Sequence, residues 1–143
     1  MKKGHWVGTA LVIVIIAAAV TLAMVAKQRR RETQLQSERR SRYEAITDKY
    51  SHAFSAGLNR KEVETRLRSS GLTFRQMCCV DVKRDTWADL VKIGEEKPPW
   101  YCNYHNVYVA FEFASSQPRE IPDARDDDML LKVRTFDWLE TCL

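Results

Sequence analysis

Four cysteines are the residues of this chain whose chemistry depends most on their surroundings. They are Cys78, Cys79, Cys102 and Cys142. Four cysteines allow three disulfide connectivities, and a bond between the neighbours Cys78 and Cys79 is sterically awkward. If residues 72–83 form a strand, adjacent side chains leave opposite faces of the sheet. This alternation favours the pairs Cys79–Cys102 and Cys78–Cys142, and two disulfides are typical of a small domain outside the cytoplasm.

A zinc site is the alternative use of these sulfur atoms. Cys102 and His105 stand three residues apart, and with Cys78 and Cys79 they form a mixed thiolate and imidazole set that suits tetrahedral zinc. A vicinal cysteine pair is a poorer chelator than Cys-x-x-Cys, so disulfides are the favoured interpretation and we expect no metal or other cofactor. Reduced, buried thiols are the third possibility. The absence of Cys-x-x-Cys argues against a thioredoxin-like redox role.

The remaining polar residues indicate no catalytic arrangement. His105 has no partner at a spacing typical of a nucleophilic triad. His52 lies on an apolar helix face and is interpreted as a packing residue. The acidic residues Asp123 and 126–128 lack the alternating spacing of a calcium-binding loop. We therefore expect a non-enzymatic protein with no small-molecule substrate.

An aromatic group surrounds the third cysteine. It consists of Trp100, Tyr101, Tyr104 and Tyr108. Tyrosine and tryptophan are enriched in the cores of protein interfaces, so this group is a candidate contact surface for a protein partner. It would serve equally well to cover the second face of a sheet, and both interpretations stay open.

A long apolar segment, Val7 to Ala26, precedes all of these residues. It carries no charge and has the roughly 20 residues needed to span a bilayer. Lys2 and Lys3 before it are typical of a signal peptide or a signal-anchor. The segment is longer than an ordinary signal-peptide core, its Ala-x-Ala pattern is imperfect and no lipobox cysteine follows. The sequence therefore predicts an uncleaved, single-pass transmembrane anchor after a short tail of residues 1–6.

The charge is distributed unevenly around this segment. Of the formal net charge of +4, residues 27–42 carry +5 and residues 43–143 carry −3. An acidic domain argues against nucleic-acid binding. The basic residues nearest the predicted span are candidates for contact with anionic lipid headgroups, at about 1 kcal/mol each. They are Lys27, Arg29, Arg30 and Arg31.

The orientation of the predicted anchor follows from two conflicting signals. The positive-inside rule, applied to the basic flank, places the domain in the cytoplasm, where it would be a metal-binding or enzymatic domain built on the Cys78, Cys79, Cys102 and His105 set. The cysteine usage instead places the domain outside the cytoplasm, in the periplasm. We favour the second orientation, with an envelope protein as the partner.

Two helices are predicted before any strand. Residues 27–42 contain no glycine or proline and predict a solvated helical stalk. From Tyr43 to Phe54, apolar residues recur on one helical face, and Gly57 supplies a residue to end that helix. Asn59 then reads as the N-cap of a second helix. Glu62 stands three residues later, and Leu58 and Val63 flank the cap as a hydrophobic staple; Gly71 closes the helix.

The pattern then changes to the alternation of strands. A strand is predicted over 72–83, with Gln76 as the one misfit on its apolar face. A strand is also favoured over 86–95, where a short helix that begins at Thr86 and ends at Gly94 is the alternative. The clearest strand face is formed by Val107, Val109, Phe111 and Phe113. A last strand over 129–136 directs Leu131 and Val133 inward, and Trp138, Leu139 and Leu143 form a terminal turn. The predicted fold class is α+β, with residues 43–143 forming two helices on an antiparallel sheet of three or four strands.

The stretch Gly57-Leu58-Asn59-Arg60, with Glu62, Val63 and Leu67 after it, resembles a known helix start. It is similar to that of the small outer-membrane assembly lipoproteins of the BamE/SmpA type, in which such a helix precedes a short sheet. The chain departs from them in lacking a lipobox cysteine and the Gly-x-Pro after the second helix. The resemblance implies an envelope-facing interaction module without enzymatic activity.

Overall fold

A computed structural model describes residues 4–78, 86–115 and 123–143, with side chains from residue 14 onward. The chain divides into two compact units, Met1–Ser41 and Arg42–Leu143. The first helix, α1, runs from Gly4 to Ala53. Within the described residues, no helix is both long enough and apolar enough to cross a membrane. Of the predicted span, the side chains of residues 7–13 lie outside the described part.

The second unit has the predicted α+β architecture. The second helix, α2, covers Arg60–Ser69. Four strands follow in the described part of the chain: β1 (Arg75–Met77), β2 (Trp87–Glu96), β3 (Cys102–Ala114) and β4 (Met129–Cys142). They form one antiparallel sheet in the order β1-β2-β3-β4.

The signals that end one helix and begin the next act locally, and most of them act as expected. Asn59 accepts a hydrogen bond at 2.9 Å from the Glu62 amide, which satisfies one free donor of the first turn. The Glu62 carboxylate binds Arg66 at 2.5 Å instead of returning to the cap. Gly71 adopts a positive φ of 72° directly after α2. Gly57, at φ 90°, lies four residues beyond the end of α1, in the connection.

The hydrophobic core lies between the helices and one face of the sheet. Its buried members are the residue directly after α1 and residues of α2, β2, β3 and β4: Phe54, Val63, Leu67, Val91, Val109, Phe111, Phe113 and Leu130. Val109, Phe111 and Phe113 of the predicted β3 face belong to this core, and Val107 is buried as well. The rings of Phe54 and Phe111 meet edge to face at 5.1 Å. Burial of large apolar side chains of this kind contributes about 1.5–3 kcal/mol each.

The last strand differs from its prediction in length and in phase. β4 extends to Cys142, so the predicted terminal turn is wrong: Trp138 and Leu139 belong to the strand. The register against β3 shifts between Glu112 and Phe113. This irregularity changes which side chain faces the core, so Leu130 is buried while Leu131 is exposed.

The first strand is shorter than expected among the described residues. β1 holds three residues, whereas residues 79–85 of the predicted strand lie outside the described part. The structure explains why the polar residue Gln76 occurs on the face predicted to be apolar. Gln76 is opposite Asp89 in the β1–β2 register, and its side-chain amide donates to Glu64 at 2.8 Å. It therefore faces a polar cluster and not an apolar core.

Candidate functional site

The disulfide Cys102–Cys142 joins the first residue of β3 to the last residue of β4. The two residues are directly opposite in the β3–β4 register. The predicted pairs Cys79–Cys102 and Cys78–Cys142 are therefore wrong, because the extension of β4 brings Cys142 beside Cys102. Cys78 is itself disulfide-bonded, and Cys79 lies outside the described residues.

This disulfide also removes the predicted zinc set. The Cys102 sulfur is bonded to carbon and sulfur, and it is not a free thiolate ligand. His105 instead faces Asp137, with Nε2 3.2 Å from Oδ1. No group of three or more histidine, cysteine or acidic side chains suited to a metal occurs among the described residues.

The disulfide stands at the base of an exposed aromatic tip, which we define as Pro98, Pro99, Trp100 and Tyr101. Trp100 is 90% exposed and Tyr101 42%, and their rings meet edge to face at 5.7 Å. The tip is tied to the strands on both sides: the Cys102 amide donates to Pro99 O at 3.0 Å, and the Leu143 amide donates to Tyr101 O at 2.8 Å. The aromatic rings are therefore presented on a braced turn.

The four predicted contact residues separate into two groups. Tyr104, near the tip, is 55% exposed, whereas Tyr108 is 5% exposed. Tyr108 lies on the second face of the sheet, opposite the helices, beside Ala88, Leu90 and Ala110. Tyr108 therefore covers the second face of the sheet, whereas Trp100, Tyr101 and Tyr104 are exposed and stay candidates for a contact surface.

Arginine side chains and aromatic rings pack against each other on that second face. The Arg75 guanidinium lies 5.2 Å from the Tyr108 ring and 5.8 Å from the Trp138 ring. Arg75 and the Tyr108 hydroxyl both bind Glu140 Oε1, at 3.0 and 3.2 Å. Burial, opposed by Arg75 and aided by Glu140, raises the pKa of Tyr108. A depression of about 220 Å³ beside this layer has Arg75 and Lys92 in its lining, but each of these cations already pairs with a glutamate.

A buried ionic cluster, which the sequence analysis missed, links α2 to the sheet. The Arg60 guanidinium binds Asp89 and lies 3.3 Å from Glu64 and 3.9 Å from Asp128. It also stacks 4.9 Å from the centre of the Phe113 ring. Arg60, one residue after the N-cap, reads from sequence as a solvated helix residue. Asp89 lies between the apolar residues Ala88 and Leu90 of β2, which indicates a buried charge but does not identify Arg60 as its partner.

The burial of this cluster indicates a role in stabilising the fold and not in binding a substrate. Arg60 and Asp89 are 1% and 0% exposed, which leaves no access for a substrate. Burial raises the pKa of Asp89 from its ordinary 3.8 to about 6, against the opposing attraction of Arg60. Asp89 Oδ2 and Arg60 Nη1 have no hydrogen-bond partner among the described residues.

The predicted lipid-contact residues all lie on α1 and are exposed. They are Lys27, Arg29, Arg30 and Arg31. At about 100° per residue, Lys27, Arg30 and Arg31 lie on one face of the helix, within an arc of about 100°, and Arg29 lies about 100° beyond that arc. The next turns carry polar i,i+4 pairs such as Gln34–Glu38 at 3.1 Å. The segment therefore has the character of a solvated helix with a basic collar.

No protein-family model matches the chain, and neither the curated proteins nor the solved structures contain a significantly similar one. Function is therefore inferred from the residues described above.

Proposed function

We propose that this chain is a membrane-anchored, non-enzymatic interaction module of the cell envelope, which binds a protein partner through its aromatic tip. Its domain lies outside the cytoplasm. The site it uses comprises Trp100 and Tyr101 of the tip together with the neighbouring Tyr104.

The exposure of Trp100 carries this proposal. A large indole that is 90% exposed contributes little to the fold, yet the turn that bears it is braced by two backbone hydrogen bonds and a disulfide. Tryptophan and tyrosine dominate binding hot spots. A braced turn also loses little conformational entropy when it binds. The arrangement therefore favours recognition over a purely structural role.

The membrane anchor rests on the apolar character of residues 7–26. From residue 14 to residue 26 the chain has no charged side chain. Its large apolar side chains in this range are at least 46% exposed: Val14, Ile15, Ile16, Val20, Leu22, Met24 and Val25. A helix that is apolar on all sides requires burial in a protein core or in lipid. The basic collar that follows suits anionic headgroups.

The compartment and the class of role rest on two further observations. A disulfide between β3 and β4 is characteristic of proteins that mature under oxidising conditions. The helix start from Gly57 to Leu67 resembles that of small envelope-assembly lipoproteins. Both favour an envelope protein that acts by binding and not by catalysis.

Site-specific photo-crosslinking in intact cells tests the proposal. A photoreactive phenylalanine analogue replaces Trp100 or Tyr104, and Lys49, exposed on α1, provides the matched control site. We expect one protein adduct of the same mass from positions 100 and 104 and none from position 49. Trp100→Ala should abolish the adduct from position 104, since the proposal makes the indole part of the binding site. The same substitution should change the free energy of unfolding by less than about 0.5 kcal/mol, because the Trp100 side chain is exposed.

Two results would contradict the proposal. One is the absence of any adduct at positions 100 and 104. The other is a crosslink from position 104 that persists unchanged in the Trp100→Ala background, since the indole would then not contribute to recognition.

A further inference from the structure

β4 is a long strand at the edge of the sheet. It contains 14 residues, and its neighbour on one side is β3. An exposed edge offers unpaired backbone donors and acceptors to another strand. A 14-residue edge is long compared with the roughly five or six residues typical of a strand. The question is therefore which groups pair with the backbone donors and acceptors on its outer side.

Among the residues that the structure describes, backbone contacts cover the outer side of β4 only at its beginning. The Gly57 amide donates to Leu130 O at 2.9 Å, and the Leu130 amide donates to Leu58 O at 2.8 Å. Beyond Leu130, no described strand pairs with this edge. The register shift near Leu131 and the positive φ of 53° at Thr141 confine regular pairing to residues 132–140.

The sequence of this segment is complementary to itself in one antiparallel register. With Phe136 opposite its own copy, Lys132 faces Glu140 of the second copy, Val133 faces Leu139 and Arg134 faces Trp138. The register therefore aligns a charge pair, an apolar pair and a cation–π pair on each side of the two-fold axis. Opposite charges and aromatic pairs across neighbouring strands are stabilising.

Neighbouring registers lack this complementarity. If the centre moves to Asp137, two aspartates lie opposite each other. If it moves to Thr135, Lys132 lies opposite Trp138 and Val133 lies opposite Asp137, so the charge pair and the apolar pair are both lost. A centre at Arg134 places two arginines together. Like charges directly opposite each other are destabilising, so Phe136 is the preferred centre.

The groups required for the charge pair are accessible. The Lys132 side chain is 48% exposed while its Nζ lies 3.1 Å from Glu112. The Glu140 side chain is 26% exposed, and Arg75 and Tyr108 both bind its Oε1. Oε2 is thus directed to no described partner and can accept from a second cation.

We propose that two copies of this chain pair through β4, antiparallel and centred on Phe136, to form one continuous eight-stranded sheet. This isologous contact uses the sheet edge and leaves the aromatic tip as a separate surface. It does not depend on the proposed function.

Charge reversal with rescue tests the register. The full-length chain in detergent micelles is measured by light scattering, with detergent mass subtracted. Lys132→Glu and Glu140→Lys should each weaken dimerisation about tenfold, since the two-fold axis repeats each like-charge contact. The double variant should restore dimerisation. Within one copy the double variant places like charges beside Glu112 and Arg75, so a purely structural role would give a worse protein and no rescue.

Crosslinking provides a second measurement that does not rely on charge. Residues 132 and 140 of one copy are too far apart along the strand to meet, so a disulfide between them must join two copies. The variant with both Lys132→Cys and Glu140→Cys should give a covalent dimer on mild oxidation, and each single variant should not. A monomer at all concentrations, a dimer insensitive to either reversal, or equal crosslinking by a single variant would overturn the proposal.

Discussion

Asp89 lies against Arg60 without any exposed surface, and its environment disfavours the charged carboxylate. Removal from water outweighs the attraction of the guanidinium, so the pKa rises to about 6. Glu64, which also binds Arg60, adds repulsion. Joining α2 to β2 through this cluster therefore costs free energy for burying the charged carboxylate, and protonation of Asp89 removes that cost.

The free energy of unfolding of the domain should depend on pH through the protonation of Asp89. Between about pH 4 and pH 6 the folded Asp89 binds more proton than the unfolded one, so its contribution to the free energy of unfolding falls as the pH rises. The rise of the pKa from 3.8 to about 6 corresponds to about 3 kcal/mol in total, of which about 2 kcal/mol falls between pH 7 and pH 4. The stability of the wild type relative to Asp89→Asn should therefore increase by about 2 kcal/mol from pH 7 to pH 4, as measured by urea unfolding.

A matched control separates this site from the other carboxylates. Asp48 is exposed on α1, and Asp48→Asn, measured in the same way, shows what the loss of a carboxylate outside the buried cluster does. A wild-type advantage over Asp89→Asn that shrinks towards pH 4 would show instead that the folded pKa of Asp89 is lowered.

At the scale of elements, the contact between α1 and β2 depends on a missing side chain. A Cβ atom at Gly94 would lie 2.5 Å from both Cε1 and Oη of Tyr43. The Tyr43 hydroxyl also donates to Glu95 O at 3.2 Å. The ring thus fills the space above Gly94 and aligns the helix with the strand.

Gly94→Ala should therefore destabilise the domain by about 1–3 kcal/mol through overpacking. In a Tyr43→Ala background the same change should cost little, because the ring it would meet is absent. Urea unfolding of the four members of this cycle gives the coupling between the two positions. Equal costs of Gly94→Ala in both backgrounds would contradict the packing explanation.

Elements with local signals were predictable from the sequence, whereas features that depend on register were not. The Asn59 cap, Gly71 and the apolar face of β3 require only neighbouring residues, and all three occur as expected. The burial of Leu130 in place of Leu131 depends on an irregularity opposite β3, which no short-range pattern encodes. The disulfide partner of Cys102 was missed for the same reason, since it follows from how far β4 continues.

The candidate site was predictable to a similar extent. Aromatic residue types pointed to Trp100, Tyr101 and Tyr104, but only the fold separates them from Tyr108. Arg60 could not be found from sequence, because charge alone does not reveal burial.

At the scale of the whole molecule, the proposed topology predicts where the cysteines react. In intact cells, a membrane-impermeant maleimide should label the chain only after an external reductant opens the disulfides. Ser51→Cys, at an exposed position on α1, provides the control, because it should be labelled from outside without reduction. Labelling of either protein only after lysis would place the domain on the cytoplasmic side.

The disulfide between Cys102 and Cys142 has a consequence for the integrity of the chain. The two cysteines are 40 residues apart, so β3, β4 and everything between them form a covalent ring. A protease that cuts once inside the ring produces two fragments that stay attached, and the last strand remains tethered beside its neighbour. After one cleavage in the β3–β4 connection, the two fragments therefore separate only when the disulfide is reduced. A chain without this disulfide would be able to lose its terminal strand after the same cleavage.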